Sequence, residues 1–217
     1  MTETIDRYPT GEPKQKYSME NGKLEGEVLS YSPTGQLLSR AMYHRGALEG
    51  EVTLYDELGA VAEVAAFQKG VQEGPTSIYS AGVLRARLHY AAGKQHGESL
   101  LYNEAGLLAT KSQYQKGVLH GETLSYDAAG RLWRKLTYGQ GVLNGPAAEY
   151  HPSGKVKETA HYQADRLHGE VLRYDANGAL VERQCFHEGK PVPCPPAAAG
   201  RTAPAPRTAR PPQSQTR

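Results

Sequence analysis

One short motif recurs along most of the chain and indicates the fold. Its clearest copy is Tyr114-Gln115-Lys116-Gly117-Val118-Leu119-His120-Gly121-Glu122. Closely similar copies occupy residues 90–98 and 162–170. The 217 residues include 24 Gly and 14 Tyr but only 2 Phe and 1 Trp, as expected if one motif supplies most of them. Self-similarity at a fixed period is the signature of a repeat architecture.

Seven repeats with a period of 24 residues occupy residues 22–190. A Gly-Glu or Gly-Pro dipeptide marks each repeat, and its glycines are Gly26, Gly50, Gly74, Gly97, Gly121, Gly145 and Gly169. Five residues after this glycine stands a tyrosine, and a turn glycine follows it, as in Tyr31 and Gly35. A second aromatic such as Tyr43 and a pair such as Arg45-Gly46 complete the repeat.

Each repeat reads as two short strands joined by two kinds of turn. The segments between the turns are rich in β-branched and aromatic residues, which is typical of strands. Ser32-Pro33-Thr34-Gly35 has type I turn chemistry, whereas Arg45-Gly46 supplies the positive φ of a tight hairpin. The sequence therefore predicts an all-β fold, an elongated antiparallel β-meander of stacked hairpins that forms a repeat ribbon. The period slips once, by one residue missing between Tyr79 and Gly82.

A two-residue hairpin loop at Arg45-Gly46 predicts which residues face each other across it. It sets Tyr43 opposite Leu48, and Arg40 opposite Glu51. The same offset pairs further opposite charges, Arg87 with Glu98 and Lys111 with Glu122. Facing opposite charges support this register. Across the type I turns the pairing stays open, because a bulge there would shift it.

The composition changes at residue 191, where Pro, Ala and Arg take over and acidic residues stop. Such a segment cannot bury enough apolar area to offset its ordering entropy. We therefore expect three parts: a half repeat over residues 1–21 that caps the array, seven repeats over 22–190, and a disordered tail over 191–217. The basic tail serves as a solubilising terminus or contacts RNA or lipid headgroups.

Charge and cysteine content set expectations about partners and compartment. The net charge of +2 does not favour nucleic acid or an anionic membrane as the main partner. The first residues lack a basic segment before an apolar run, so we expect a cytoplasmic protein with reduced thiols. The hairpin rule sets Cys185 opposite Val192 and diagonal to Cys194, beyond the usual reach of a disulfide. Free thiols are therefore predicted.

The repeat resembles the MORN motif, in which an aromatic residue, a Gly and a His-Gly pair recur at the spacing seen in residues 114–121. Tyr or Phe replaces the usual Trp, Glu or Pro follows the second Gly, and a Tyr-Asp-x-x-Gly-x-Leu turn is added. These features are similar to the bacterial MORN-variant family of YwqK-like antitoxins. The resemblance implies a non-enzymatic immunity protein that neutralises a cognate toxin by direct contact. The alternative is a MORN-type scaffold or membrane-surface adaptor.

Residues that break the repeat are the candidates for function. His96, His120 and His168 hold one repeat position, too far apart to share a metal ion, so we expect a structural role. No catalytic or cofactor motif is present, and we expect no enzymatic activity. Trp133, the single Trp, with Lys111, Arg134 and Lys135 forms the predicted partner-binding patch, since Trp and Arg are enriched at interface hot spots. The alternative is a Trp packed within its own ribbon.

Overall fold

The computed structural model describes residues 2–196, which form strands and turns and no helix. These residues belong to two units that divide between Gly106 and Leu107. Within each unit, strands pair antiparallel with their neighbours in the chain. The predicted all-β fold of antiparallel hairpins is confirmed. No helix that could cross a membrane occurs among residues 2–196.

The strands of both units are short, and several are interrupted just before a repeat glycine. The first unit contains β1 (Thr2–Arg7), β2 (Pro13–Glu20), β3 (Lys23–Leu24), β4 (Gly26–Tyr31), β5 (Leu37–His44), β6 (Ala47–Tyr55), β7 (Val61–Gln68), β8 (Val71–Ser80), β9 (Val83–Ala91), β10 (Lys94–Gln95) and β11 (Gly97–Tyr102). The second contains β12 (Leu108–Gln115), β13 (Val118–Leu119), β14 (Gly121–Tyr126), β15 (Leu132–Gly139), β16 (Val142–Leu143), β17 (Gly145–Tyr150), β18 (Val156–Gln163), β19 (Arg166–Leu167), β20 (Gly169–Tyr174), β21 (Leu180–His187) and β22 (Lys190–Val192).

The two-residue turns have the backbone geometry that the sequence predicts. Arg45 and Gly46 both have positive φ, at 51° and 83°, as a type I′ hairpin turn requires. The facing pair Tyr43 and Leu48 is confirmed. The missing residue of the third repeat also has a structural account. Ala81-Gly82 forms a second turn of this positive-φ type there, in place of the longer turn of the other repeats.

A bulge follows the longer turn in five of the repeats, which resolves there the register that the sequence left open. In the turn after β14, the Asp127 carboxylate accepts hydrogen bonds from the backbone N–H groups of Ala129 and Arg131. Ser125 faces Arg134 while Tyr126 faces Leu132, so the residue between them has no facing partner. Two residues oppose one, which defines a β-bulge. The same shift occurs in β4–β5, β6–β7, β17–β18 and β20–β21.

The predicted charge pair between Arg40 and Glu51 is wrong, because a second irregularity lies between β5 and β6. Beyond Tyr43 and Leu48 the register shifts, and Arg40 faces Thr53. Gly50, with φ 95°, lies within the inserted residues. The ion pair of Arg40 is formed on the other side of its strand, with Glu27. By the same shift Arg87 faces Leu100 and Lys111 faces Leu124, not the predicted glutamates.

Each unit has two sheet faces, which we define by the first repeat. Face 1 carries Val28 and Ala41, which face each other, together with the residues at the same repeat positions. Face 2 carries Leu29 and Arg40 and their equivalents. Face 1 holds a row of buried small side chains: Val28, Ala41, Ala65, Thr76, Ser99, Ser112, Ala160 and Val171. No large side chain among residues 2–196 is completely buried, so the core is shallow; Ala86 on face 1 and Thr53 and Cys185 on face 2 are the other buried residues.

The chain beyond residue 190 corrects two expectations. Pro191 and Val192 belong to β22, so order extends past the predicted start of the tail, and residues 197–217 lie outside the described part. The predicted facing of Cys185 and Val192 is confirmed, but the prediction of free thiols is wrong, because Cys185 and Cys194 form a disulfide. The diagonal distance assumed a strand that continues to Cys194. Instead β22 ends at Val192, and the two Cα atoms lie 5.1 Å apart.

Candidate functional site

Trp133 lies at the bulge that follows the Asp127 turn, and this position determines its exposure. It is the residue between the facing pairs Tyr126–Leu132 and Ser125–Arg134. Bulges re-aim side chains and locally stop strand pairing. The indole is 40% exposed, and the Arg134 guanidinium carbon lies 5.8 Å from its ring centroid. Trp133 therefore presents an aromatic surface to solvent beside a cation.

The four residues of the predicted patch do not share one face of the sheet. Arg134 faces Ser125 on face 1, whereas its chain neighbour Lys135 faces Leu124 on face 2. Lys111 also faces Leu124, so the two lysines flank this leucine on face 2. Lys135 forms an ion pair with Glu122. The structure thus brings Trp133 and Arg134 together and separates them from Lys111 and Lys135.

A ladder of charged side chains continues from Arg134 along face 1. Arg134 faces Glu149, Glu149 faces Glu158, Glu158 faces Arg173 and Arg173 faces Glu182. We call these five residues the charge ladder. Directly facing side chains on a sheet lie within contact distance. The second unit thus carries a row of five charged side chains, two arginines and three glutamates, that starts beside the indole.

The ion pairs of the charge ladder offset one unfavourable contact within it. Glu149 and Glu158 are like charges in facing positions, which is destabilising by itself. Arg173 donates to Glu158 at 2.7 Å and to Glu182 at 2.6 Å, and Lys157 donates to Glu149 at 3.4 Å. The hydrogen bond to Glu158, and then that to Glu182, raises the pKa of Arg173. The pairs are solvent-exposed, so they contribute little stability and remain available to exchange partners.

A shallow hollow lies within the charge ladder, over strands β15 to β18. Its apolar lining includes Leu136, Ala147, Ala160 and Tyr162, and its charged lining is Arg134, Glu149 and Glu158. The facing pair Ala147 and Ala160 occupies the row that the larger pair Val28 and Ala41 fills in the first repeat. Two methyl groups fill less space, which leaves the depression. Apolar contacts and charges are therefore available within one small area.

Carboxylates at the turns are held ionised by backbone groups. The pKa of Asp127 is lowered by the hydrogen bond from the Arg131 backbone N–H and then by the Arg131 side chain. The Ala179 backbone N–H lowers the pKa of Asp175 in the same way. In the first unit the Arg45 backbone N–H, followed by His44, lowers the pKa of Glu25. These groups stabilise turns.

The repeated histidines form backbone hydrogen bonds at the points where the strands are interrupted. The backbone N–H groups of His96, His120 and His168 donate to the carbonyls of His89, Gln113 and His161. The His168 ring lies 5.0 Å from that of His187, and its Nδ1 is buried without a hydrogen-bond partner. No group of three or more His, Cys, Asp or Glu residues suited to a metal ion occurs within residues 2–196.

The charge ladder escaped the sequence analysis because its members belong to different repeats. The residues occur at two fixed repeat positions, with alternating separations of 15 and 9 residues. This alternation is a signal in the sequence. It becomes interpretable only with the bulge after each longer turn, since the bulge sets Ser125 and Arg134 opposite each other. A regular register without this bulge would place other residues opposite each other.

The fold is that of a repeat protein built from antiparallel hairpins, and comparison with known proteins agrees. Residues 24–45, 143–164 and 167–188 match a family model described as MORN repeat variant. Repeats of this kind suggest a repeat-containing binding or scaffold protein. No curated protein matches the chain.

A similarity to a solved structure adds nothing to this assignment. One chain of the crystal structure of TcdB2-TccC3 is 16% identical, with a TM-score of 0.19. The match covers 83% of the present chain and 13% of that chain. A similarity of this size carries no argument about fold or function.

Proposed function

We propose that the protein is a non-enzymatic binding protein that holds a protein partner against face 1 of the second unit. The observation that carries the proposal is the exposed indole of Trp133, 40% accessible, with the Arg134 guanidinium beside it. Trp and Arg are the residues most enriched among interface hot spots. Trp133 is a single aromatic residue at a bulge, and the charged side chains beside it can exchange partners. This arrangement suits an interface with a central aromatic contact and a polar rim.

The charge ladder supports a protein partner over a small ligand. The hollow beside it is shallow and open, whereas small-molecule sites enclose most of the ligand surface. The row of both charge signs over β15 to β21 instead suits a partner surface of complementary charge, which fixes register and orientation. We propose binding rather than catalysis because the charged side chains of this face, within residues 2–196, form ion pairs with one another.

The partner class follows from the repeat signatures of the sequence. We propose that the partner is a cognate toxin, neutralised by direct contact. The support is the resemblance of the Tyr-Asp-x-x-Gly-x-Leu turn and the Gly-Glu strand start to YwqK-like antitoxins. The cytoplasmic location stays a prediction, and the Cys185–Cys194 disulfide weighs against it, because disulfides persist in oxidising compartments.

Co-expression with the product of the adjacent gene tests the proposal. We expect the full chain to restore growth and to co-purify with that product. Trp133→Ala should weaken binding by about 30-fold, from a hot-spot loss of roughly 2 kcal/mol. The affinity can be measured by titration calorimetry.

Leu38→Ala provides the matched control. Leu38 holds the same bulge position in the first unit and is 41% exposed, close to the exposure of Trp133. This variant should bind as the unchanged chain does. Equal losses for both variants would remove the proposed anchor. Failure to bind the adjacent product, together with salt-sensitive binding to phosphatidylserine vesicles, would favour the membrane-surface adaptor instead.

A further inference from the structure

The last hairpin of the second unit is held in an unusual way. Strand β22 is three residues long, all exposed, and among residues 2–196 it pairs with β21 alone. Three facing pairs join them: Cys185 with Val192, Phe186 with Pro191 and His187 with Lys190. Pro191 faces Phe186 at the non-hydrogen-bonded position after the turn, so its missing N–H is on the outer edge of β22. The opposite end of the described chain differs, because β1 has six facing pairs with β2.

A covalent link compensates for the short pairing. Cys185 on β21 is 5% exposed and bonded to Cys194, two residues beyond the end of β22. The closed loop spans nine residues of separation and includes the Glu188-Gly189 turn. A crosslink of this length restricts the open chain and so favours the paired state. The stability of this hairpin therefore depends on the bond more than on backbone pairing.

We propose that the Cys185–Cys194 disulfide is a redox-sensitive latch that keeps β22 on β21, and that its reduction by a dithiol releases β22. The latch is independent of the proposed binding face. Its site is the end of the repeat array, and its reactant class is a dithiol reductant of small-molecule or protein origin. Release uncovers residues 185–187, the part of the eight-residue strand β21 that faces β22.

The chemistry of release balances as a two-electron exchange. One thiolate of the dithiol attacks Cys194 Sγ, because Cys194 is half-buried and Cys185 is buried. A mixed disulfide forms with Cys194, and Cys185 leaves as a thiolate. The second thiol of the reductant then attacks the mixed disulfide and frees Cys194. The protein gains two electrons and two protons, and the reductant becomes a disulfide.

Release of β22 exposes backbone hydrogen-bonding groups on β21. A strand with unpaired N–H and C=O groups pairs readily with another strand. In the oxidised state β22 covers the last part of this edge, residues 185–187, and places Pro191 along it. Reduction would therefore extend the open edge of β21 over these three residues and lengthen the edge available to a further strand.

Hydrogen exchange of the full chain tests the latch. We expect millimolar dithiothreitol to reduce the bond without denaturant. The backbone N–H groups of Lys190 and Val192 on β22 should then exchange faster by on the order of 100-fold, as loop-closure entropy predicts. Cys194→Ser, which leaves Cys185 in its packed position, should show the same increase without reductant.

The β1–β2 hairpin serves as the internal control, since it contains no cysteine. Its exchange rates should be equal before and after reduction. The latch would be overturned if reduction required denaturant, because the bond would then be inert. It would also be overturned if the reduced chain and the Cys194→Ser variant both kept the exchange rates of the oxidised chain.

Discussion

The two units fill the same repeat positions on face 1 with different chemistry. In the second unit these positions carry the charge ladder, five consecutive facing charges from Arg134 to Glu182. In the first unit the equivalent facing positions hold Ser39, Leu54, Glu63, Ile78 and Ala86. Leu54 remains 40% exposed. The same hairpin framework therefore supports a charged row in one unit and a largely uncharged row in the other.

This difference indicates which residues hold the fold and which are free to vary. The turns of both units use the same positive-φ pairs and glycines, and the buried row of small side chains runs through both. The positions of the charge ladder vary without any change in strand pairing. The turns and the buried row can therefore be tested separately from the charge ladder, by matched substitutions in the two units.

The largest effect is expected at the glycine that opens each repeat. At Gly145, with φ 124°, an added Cβ would lie 3.1 Å from the side chain of Thr137. At Gly97, with φ 77°, an added Cβ meets nothing within 4 Å. We expect Gly145→Ala to lower the free energy of unfolding by about 3 kcal/mol and Gly97→Ala by roughly 1 kcal/mol. Urea unfolding followed by circular dichroism measures both. Equal losses would mean that backbone strain alone governs the site.

A smaller, salt-dependent effect is expected within the charge ladder. Arg173→Gln removes the two hydrogen bonds to Glu158 and Glu182 and leaves facing glutamates without this cation. We expect reduced stability at about 0.05 M salt and a smaller reduction at about 1 M, because salt screens exposed charges. Fluorescence of Trp133, the single Trp, reports unfolding of this unit.

Leu101→Ala is the matched variant in the first unit, because Leu101 holds the equivalent repeat position and faces Ala86. Its effect should not depend on salt, since no charge is removed. A salt-independent loss for Arg173→Gln would show that the arginine acts through packing of its stem.

The smallest effect concerns pH at the longer turns. Folding lowers the pKa of Asp127, so its stabilisation is present above the ordinary value of 3.8 and is lost as pH falls through the lower folded value. The equivalent Ser32 in the first unit accepts a hydrogen bond from the Gln36 N–H at 3.1 Å and does not titrate. Between about pH 6 and pH 2, the amide resonance of Arg131 should shift while that of Gln36 stays. Heteronuclear NMR measures both, and a stationary Arg131 resonance would contradict the assignment.

Much of the fold could be predicted from sequence because its turns are local. The pair Arg45-Gly46 and its equivalents in the other repeats have positive φ, and the facing of Tyr43 and Leu48 follows from that turn alone. The prediction failed at Arg40, since the register shifts at Gly50, a glycine of positive φ whose effect on strand pairing the hairpin rule did not include. Of the predicted patch, which stays a prediction, Trp133 and Arg134 lie side by side, while Lys111 and Lys135 lie on face 2.

The sequence by itself determined the number of repeats, the strand pattern and the chemistry of each turn, because these depend on residues close together in the chain. The tertiary structure decided what meets across strands. The bulges place Trp133 in solvent and align the charge ladder, since one extra residue changes every facing pair beyond it. The tertiary structure also determined the disulfide, because Cys194 reaches Cys185 only where β22 ends and the chain leaves the strand pairing.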